Sequence, residues 1–411
     1  MDNICYNASV RLLNIQKETR IMEKLVYLCY PLVLLLLFWG SKWYGRKQWN
    51  EEFFNLDQSK MLQGFLAICV MLHHCGQKTC APWKESQYFV PGLDFFVPIG
   101  YFFVAVFFVC SGFGLYKSYH TKDNYLKGFL WKRILPLVIA FYVTEWIFLG
   151  IRLLDGEKMS NQQLTLFITG IEQANPNAWF VITMPLFYLF FYISYGLLKK
   201  DWLALPAIWL LVLGWVLLGC STNHGEGFIV GEWWYNSALF FPLGLTFAKV
   251  KDKFIAWMKK HGWVYILSMV VAVVAGYFLY RYSEYAQNHF SYYCEWVKDP
   301  SERLYRRFMT AISQFLAALP FVYFMVMLNL KVKLNNKALR FMGAVTLEFY
   351  LIHAIFVDLF GFHYREDVLP NLCNIKNVLL YVYVVFATSL PATLLLRKIL
   401  HPRQPMFPEV K

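Results

Sequence analysis

Charge is what this sequence has least of. Only 16% of its 411 residues are charged while 58% are hydrophobic, which excludes an ordinary soluble globular protein. Repeated apolar runs near 20 residues place the chain in a bilayer instead. No internal repeat and no low-complexity linker breaks these runs, and no small-residue cleavage site follows the first of them. The run 25–41 therefore reads as an uncleaved anchor, with Met22 as an alternative start that would remove Arg11, Lys17 and Arg20. The net charge of +13 has a simple reading in cytoplasmic loops. No basic module sits outside the spans, so nucleic acid is not an expected partner. Nine cysteines are scattered, and Cys29, Cys69, Cys110 and Cys220 lie inside apolar runs as small hydrophobes. Cys75 and Cys80 could pair, or join His73 and His74 around a metal; no second ligand cluster supports zinc, and no metal is expected.

What is present is about eleven candidate spans, at 25–41, 60–76, 95–116, 134–152, 179–198, 202–220, 230–248, 262–281, 308–330, 339–360 and 377–397. The expected fold is all-α, a polytopic helix bundle in three parts. Residues 1–45 form an N-terminal segment with one extra anchor, 50–400 a ten-helix membrane domain, and 401–411 a short cytoplasmic tail. With the N-terminus outside and the C-terminus inside, the inner loops hold roughly twice as many Lys and Arg as the outer loops, Arg365 among the latter. Trp83, Trp179, Trp233, Trp234 and Trp296 fall in or near the outer loops, where an interface belt is the commoner reading and sugar stacking the rarer one for the Trp233–Trp234 pair.

Ionisable groups at membrane depth are functional candidates. The run 60–76, KMLQGFLAICVMLHHCG, is entered by Lys60 and closed by His73 and His74. On a straight helix His74 lies about 21 Å from Lys60, in the outer half of a core about 30 Å thick. Measured from Arg340, Glu348 falls about 12 Å deep and His353 about 20 Å, so His353 matches His74 in depth. Imidazoles and a carboxylate converging there can form an acid–base site, a proton relay, or a set of mutually satisfied structural groups. His73 is about 100° round the helix from His74 and is read as packed. At the inner end Lys127, Lys132 and Arg133 precede Pro136; such cations are usually topogenic and can also clamp phosphates. Ser111, Gly112 and Gly114 in FFVCSGFGL allow a close approach by a helix or a ligand, helix packing being the commoner case.

Together these segments resemble the acyltransferase-3 family of multi-pass membrane O-acyltransferases. QGFLAICVMLHH resembles its first-helix motif, FFVCSGF its FFxxSGF signature, and KRILP its Arg-x-x-Pro segment. WFVITMPLFY (179–188) resembles its Trp-Phe/Tyr segment and TLEFYLIH its late tyrosine–leucine–histidine helix. Gln63 stands where a basic residue opens the family's first motif, with Lys60 one turn earlier, and Ala105 stands where an acidic residue commonly precedes FFxxSG. The resemblance implies a membrane O-acyltransferase that moves an acyl group, acetyl in the first instance, from cytoplasmic acyl-CoA to a hydroxyl of a cell-surface glycan or lipid-linked sugar. His74 is implied as the general base, with Glu348 holding its tautomer or stabilising its charged form. Arg133, Lys132, Lys60 and Ser111 are the expected acyl-CoA contacts, and Trp179, His353 and Tyr350 the acceptor contacts. Acetyl-CoA is then a donor substrate rather than a resident cofactor, and the expected location is the plasma membrane. The rival reading is a proton-coupled transporter or exporter of a small acid or glycan, which would use the same His and Glu without CoA. A structural partner of a polysaccharide synthase is a third.

Overall fold

The structure is a computed structural model that describes residues 25–222, 224, 229, 231–291, 294–362 and 373–405. Met22, Arg11, Lys17, Arg20 and Arg365 lie outside them. The described residues are mainly helical: α1 (Cys29–Phe38), α2 (Leu56–Thr79), α3 (Gly100–Thr121), α4 (Leu135–Leu154), α5 (Asn161–Thr169), α6 (Trp179–Leu198), α7 (Asp201–Ser221), α8 (Phe240–Lys260), α9 (Gly262–Phe290), α10 (Pro300–Leu328), α11 (Lys337–Ala344), α12 (Thr346–Phe360) and α13 (Val378–Leu400). Two short strands, β1 (Lys42–Trp43) and β2 (Val332–Lys333), pair antiparallel, joining Trp43 to Val332.

Among the described residues seven helices are long and apolar enough to cross a membrane, or eight if the bent pair α11–α12 counts as one span. Every predicted span contains a helix, but four differ from a full straight apolar crossing. The apolar stretch Val26–Phe38 reaches about 20 Å as a helix, short of a 30 Å core. Helix α2 is long, but Asp57, Gln58, Lys60, Gln63 and the two histidines dilute its hydropathy. Helix α8 begins ten residues later than the expected 230–248 span and runs on through Lys249, Lys251 and Lys253. The largest departure is at 339–360, where the axes of α11 and α12 bend by 85°.

Helix α2 is the centre of the bundle. Asn55 caps it by accepting from the Gln58 amide, and residues from Met61 to Cys75 are buried along most of its length. Glycine makes its packing possible: a Cβ on Gly64 would sit 2.3 Å from the Leu339 carbonyl oxygen, and one on Gly343 would sit 2.1 Å from the Lys60 carbonyl oxygen. Helices α2 and α11 therefore touch backbone to backbone. The Arg340 guanidinium grips Asp57 through two bonds of 2.7 and 3.1 Å at the same junction. The FFVCSGF segment works likewise, because a Cβ on Gly112 would meet the Phe241 carbonyl 2.2 Å away and one on Gly244 would meet Val109. That locks α3 to α8, while Gly114 faces open space. On the outside, α9 exposes Val270, Val271, Val273, Val274 and Phe278, a surface that suits lipid rather than water.

Candidate active site

Helices α2 and α12 run side by side and bring two imidazoles together. His74 Nδ1 lies 2.8 Å from His353 Nε2, with the rings stacked 5.0 Å apart at an interplanar angle of 5°. His353 Nδ1 lies 2.9 Å from the Phe349 carbonyl oxygen, one turn back on its own helix. A carbonyl only accepts, so His353 Nδ1 carries the hydrogen. Neutral His353 then has its lone pair on Nε2, and His74 Nδ1 must be the N–H that donates to it. The remaining lone pair is on His74 Nε2, which no protein group engages among the described residues. The pair therefore gives His74 a defined tautomer, with its lone pair on Nε2. His74 is 9% exposed and His353 fully buried, so the pair is held largely away from water.

His73 points elsewhere. Its Nδ1 donates to the Phe96 carbonyl at 2.9 Å, and its ring occupies the space a Cβ on Gly100 would need, so it packs between α2 and α3. Cys75 and Cys80 are separate buried thiols, and no three His, Cys, Asp or Glu side chains converge on a metal-sized site among the described residues.

Glu348 is not brought to His74. The depth arithmetic assumed one straight helix from Arg340, and the bend at Val345 restarts the helix at Thr346. Glu348 therefore occupies the first turn of α12, five residues below His353. Its carboxylate lies 3.4 Å from Arg397 Nη1 and 3.6 Å from His401 Nε2. His353, expected as an acceptor contact, takes the orienting position instead.

The expected donor contacts gather at the Lys60 end. Lys122, Asp123, Asn124, Tyr125, Lys127, Phe129, Lys132 and Arg133 line a cleft of about 270 Å³, with the Arg133 guanidinium over the Tyr125 ring at 5.8 Å. The cleft opens where residues 130–134 form a single π turn. Pro136 has no N–H to give the Lys132 carbonyl, and the Leu135 amide reaches back five residues to Leu130 instead. Lys60 is exposed beside this region and feels the charges of Glu348, Arg133 and Arg397. Ser111 shares a 2.8 Å hydrogen bond with the Tyr188 hydroxyl, which in turn feels Arg133. Tyr188 and Arg397 were not legible as site residues: the first is one aromatic among many, and the second sat in a terminal basic cluster that topology alone explains.

Trp179 and Tyr350 connect the histidines to the far end. The Tyr350 ring lies 6.1 Å from His353 and 5.6 Å from Phe180, Phe180 lies 6.0 Å from Trp179, and Trp179 lies 6.5 Å from Trp234. Trp179 and Trp234 are buried, so they are interior residues rather than members of an interface belt. Trp83 and Trp296 are exposed as a belt requires. The Trp179 helix is positioned by buried Glu145, whose carboxylate accepts from the Ala174 and Asn175 amides at 2.6 and 3.1 Å, while Asn175 donates to the Leu351 carbonyl of α12.

The acyltransferase-3 family model, described as an acyltransferase domain, matches residues 53–397. The chain belongs to the acyltransferase-3 family. That span takes in α2 through nearly all of α13, and with them the histidine relay, the cationic cleft and Arg397. It makes the protein a multi-pass membrane acyltransferase. No curated protein and no solved structure matches it significantly.

Proposed function

We propose that this acyltransferase moves an acyl group, acetyl in the simplest case, from cytoplasmic acyl-CoA to a hydroxyl of a glycan or lipid-linked sugar at the plasma membrane. The observation that carries the reading is the His74–His353–Phe349 relay, which leaves one imidazole nitrogen with its lone pair unengaged among the described residues, about 21 Å along α2 from Lys60. The phosphates of acyl-CoA bind in the cleft of Lys122, Lys127, Lys132 and Arg133, with Lys60 and Arg397 extending the positive field inward. The pantetheine arm runs past Ser111 and Tyr188 toward His74. The excess of Lys and Arg at the cleft end supports a cytoplasmic cleft, with the acceptor entering from the other side along Tyr350 and Trp179.

An alcohol is a poor nucleophile until it loses its proton. His74 Nε2 takes that proton as the acceptor oxygen forms its bond to the thioester carbonyl carbon. The positive charge on His74 is shared through the Nδ1–H bond to His353. Collapse of the tetrahedral intermediate breaks the C–S bond, and the departing thiolate recovers the proton from His74. The products are the ester and CoA thiol, with no net proton released. Glu348 has no part in the proton transfer; it holds Arg397 at the donor end.

The test compares surface glycans by mass spectrometry from cells lacking the gene, complemented with wild type or His74→Ala. An acyl mass shift restored by wild type alone supports the assignment. Equal restoration by a correctly inserted His74→Ala removes His74 from the chemistry.

A further inference from the structure

Two hydroxyls in α13 stand apart from the other serines and threonines. Ser389 and Thr393 are fully buried, and theirs are the only serine or threonine hydroxyls among the described residues that are buried with no hydrogen-bond partner. A helical hydroxyl ordinarily satisfies itself on the carbonyl one turn back, as Thr388 does on Val384 at 2.7 Å. Leaving two such bonds unmade in an interior is destabilising. Four residues further on, the Nε of Arg397 is also buried without a partner, while its Nη1 reaches the Ala344 carbonyl at 3.0 Å and Glu348 at 3.4 Å. Residues 389, 393 and 397 thus form a row along one side of the helix at intervals of about 6 Å.

Contacts between α12 and α13 place this row. The Tyr381 hydroxyl donates to the Val357 carbonyl at 2.7 Å, the Phe386 ring lies 6.1 Å from Phe349, and Arg397 meets Glu348, so the two helices run antiparallel. Ser389 and Thr393 lie between the last two contacts. One end of the row is therefore near Phe349, whose ring stacks on His353 at 5.5 Å. The other end is Arg397, one of the charges that Lys60 feels together with Arg133, Glu348 and Cys110, the neighbour of Ser111.

We propose that Ser389 and Thr393 are the hydrogen-bonding contacts for the pantetheine arm of acyl-CoA, with hydroxyls that the fold leaves to the donor instead of to the helix backbone. This rests on acyl-CoA being the donor and reaching His74 through the bundle. The arm is a flexible chain carrying two secondary amides and a hydroxyl. Each amide presents an N–H and a carbonyl, and a serine or threonine hydroxyl can answer either. With phosphates at the cations and the thioester at His74, the arm has to cross the interval the row spans, about 12 Å from Arg397 to Ser389. Ser111 and Tyr188 border the same route but already bond each other at 2.8 Å. The unpartnered pair on α13 is the better match for the amides.

The experiment uses the full chain in lipid nanodiscs and compares wild type with Ser389→Ala, Thr393→Val and the double variant. Calorimetry measures the binding of acetyl-CoA and of the CoA nucleotide without its pantetheine arm, an adenosine bisphosphate; melting without ligand is followed in parallel. Each single variant should weaken acetyl-CoA binding by roughly two- to tenfold, the net worth of one hydrogen bond, and leave binding of the bisphosphate unchanged. Melting temperatures should hold or rise, because an unpartnered hydroxyl has given way to apolar atoms. Unchanged acetyl-CoA affinity, or equal losses for the two ligands, overturns the proposal and is what a merely structural pair of hydroxyls predicts. If the selective loss appears while wild type transfers no acetyl group, the row stands and the transferase reading of His74 fails. A wild type that binds neither ligand overturns the row together with its donor.

Discussion

The sharpest consequence of the relay concerns His353, which touches neither the cleft nor an open face of the bundle. Replacing it with alanine removes the acceptor of the His74 Nδ1–H bond, now 2.8 Å long. A buried donor left unsatisfied costs about 1–3 kcal/mol, and the ring can escape that cost by turning or by moving its hydrogen to Nε2. Either response takes the lone pair from the position where the acceptor hydroxyl needs it. At 1.36 kcal/mol per tenfold, kcat falls by roughly 5- to 150-fold. The Kd for acetyl-CoA stays unchanged, because the donor cleft is about 20 Å away. Glutamine at 353 supplies a carbonyl oxygen able to accept the same bond, so His353→Gln retains more activity than His353→Ala. The assay is steady-state acetyl transfer in nanodiscs, with CoA-dependent thermal stabilisation as the control for folding. Wild-type kcat in His353→Ala, or a glutamine variant no better than alanine, refutes the tautomer argument.

Other perturbations separate the donor end from the packing of the bundle. Arg133→Ala should weaken acetyl-CoA binding by about tenfold at low salt, for the loss of one exposed charge-assisted contact, and leave kcat at saturation unchanged; titration calorimetry at two salt concentrations checks this. Gly112→Ala forces a Cβ against the Phe241 carbonyl and should destabilise the protein by about 1–3 kcal/mol, whereas Gly114→Ala, which meets open space, should be neutral in the same melting experiment. His224, in the loop after α7, is held down to about 4 by burial first and by the Arg307 charge second. It stays neutral in the fold but protonates in the unfolded chain below about 6.5. Its contribution to stability is therefore complete above pH 6.5 and lost as pH falls toward 4. The melting temperature of His224→Gln should drop less than that of wild type between pH 7 and 5; parallel curves would count against it.

The helical, membrane-bound architecture was legible because apolar runs near twenty residues have few other homes. So was the grouping of Lys132 and Arg133, since Pro136 beside them marks a helix start and inner-loop cations have few counter-charges. The pairing of His74 with His353 was half visible in their matching depth. Glu348 misled for a definite reason: TLEFYLIH reads as the continuation of KALRFMGA, and neither Val345 nor Thr346 signals an 85° bend. The available sign was Gly343, which permits the backbone contact with Lys60 but could not by itself say that the chain turns. Arg397 was hidden because a basic residue at the end of a last span satisfies the charge rule without any further role.

The two ends of the site share one rail, and that bears on why the proposed base is built from histidines rather than from a His–carboxylate pair. Gly64 against α11 and Arg340 on Asp57 hold the cleft end of α2, while the His74–His353 bond ties its other end to α12. In the proposed reaction the thioester travels between them through a bundle that keeps water from hydrolysing it. A carboxylate placed against His74 in that interior would carry an uncompensated charge through every step without substrate. A neutral imidazole hydrogen-bonded to a backbone carbonyl fixes the same tautomer with no such charge, and it becomes partly cationic only while the acceptor's proton is on His74. The His353→Asp variant tests this directly: it should retain the acceptor for Nδ1–H yet make His74 harder to deprotonate, moving the acidic limb of acetyl transfer upward. An unchanged limb would mean that the interior around His74 is wetter than its burial implies.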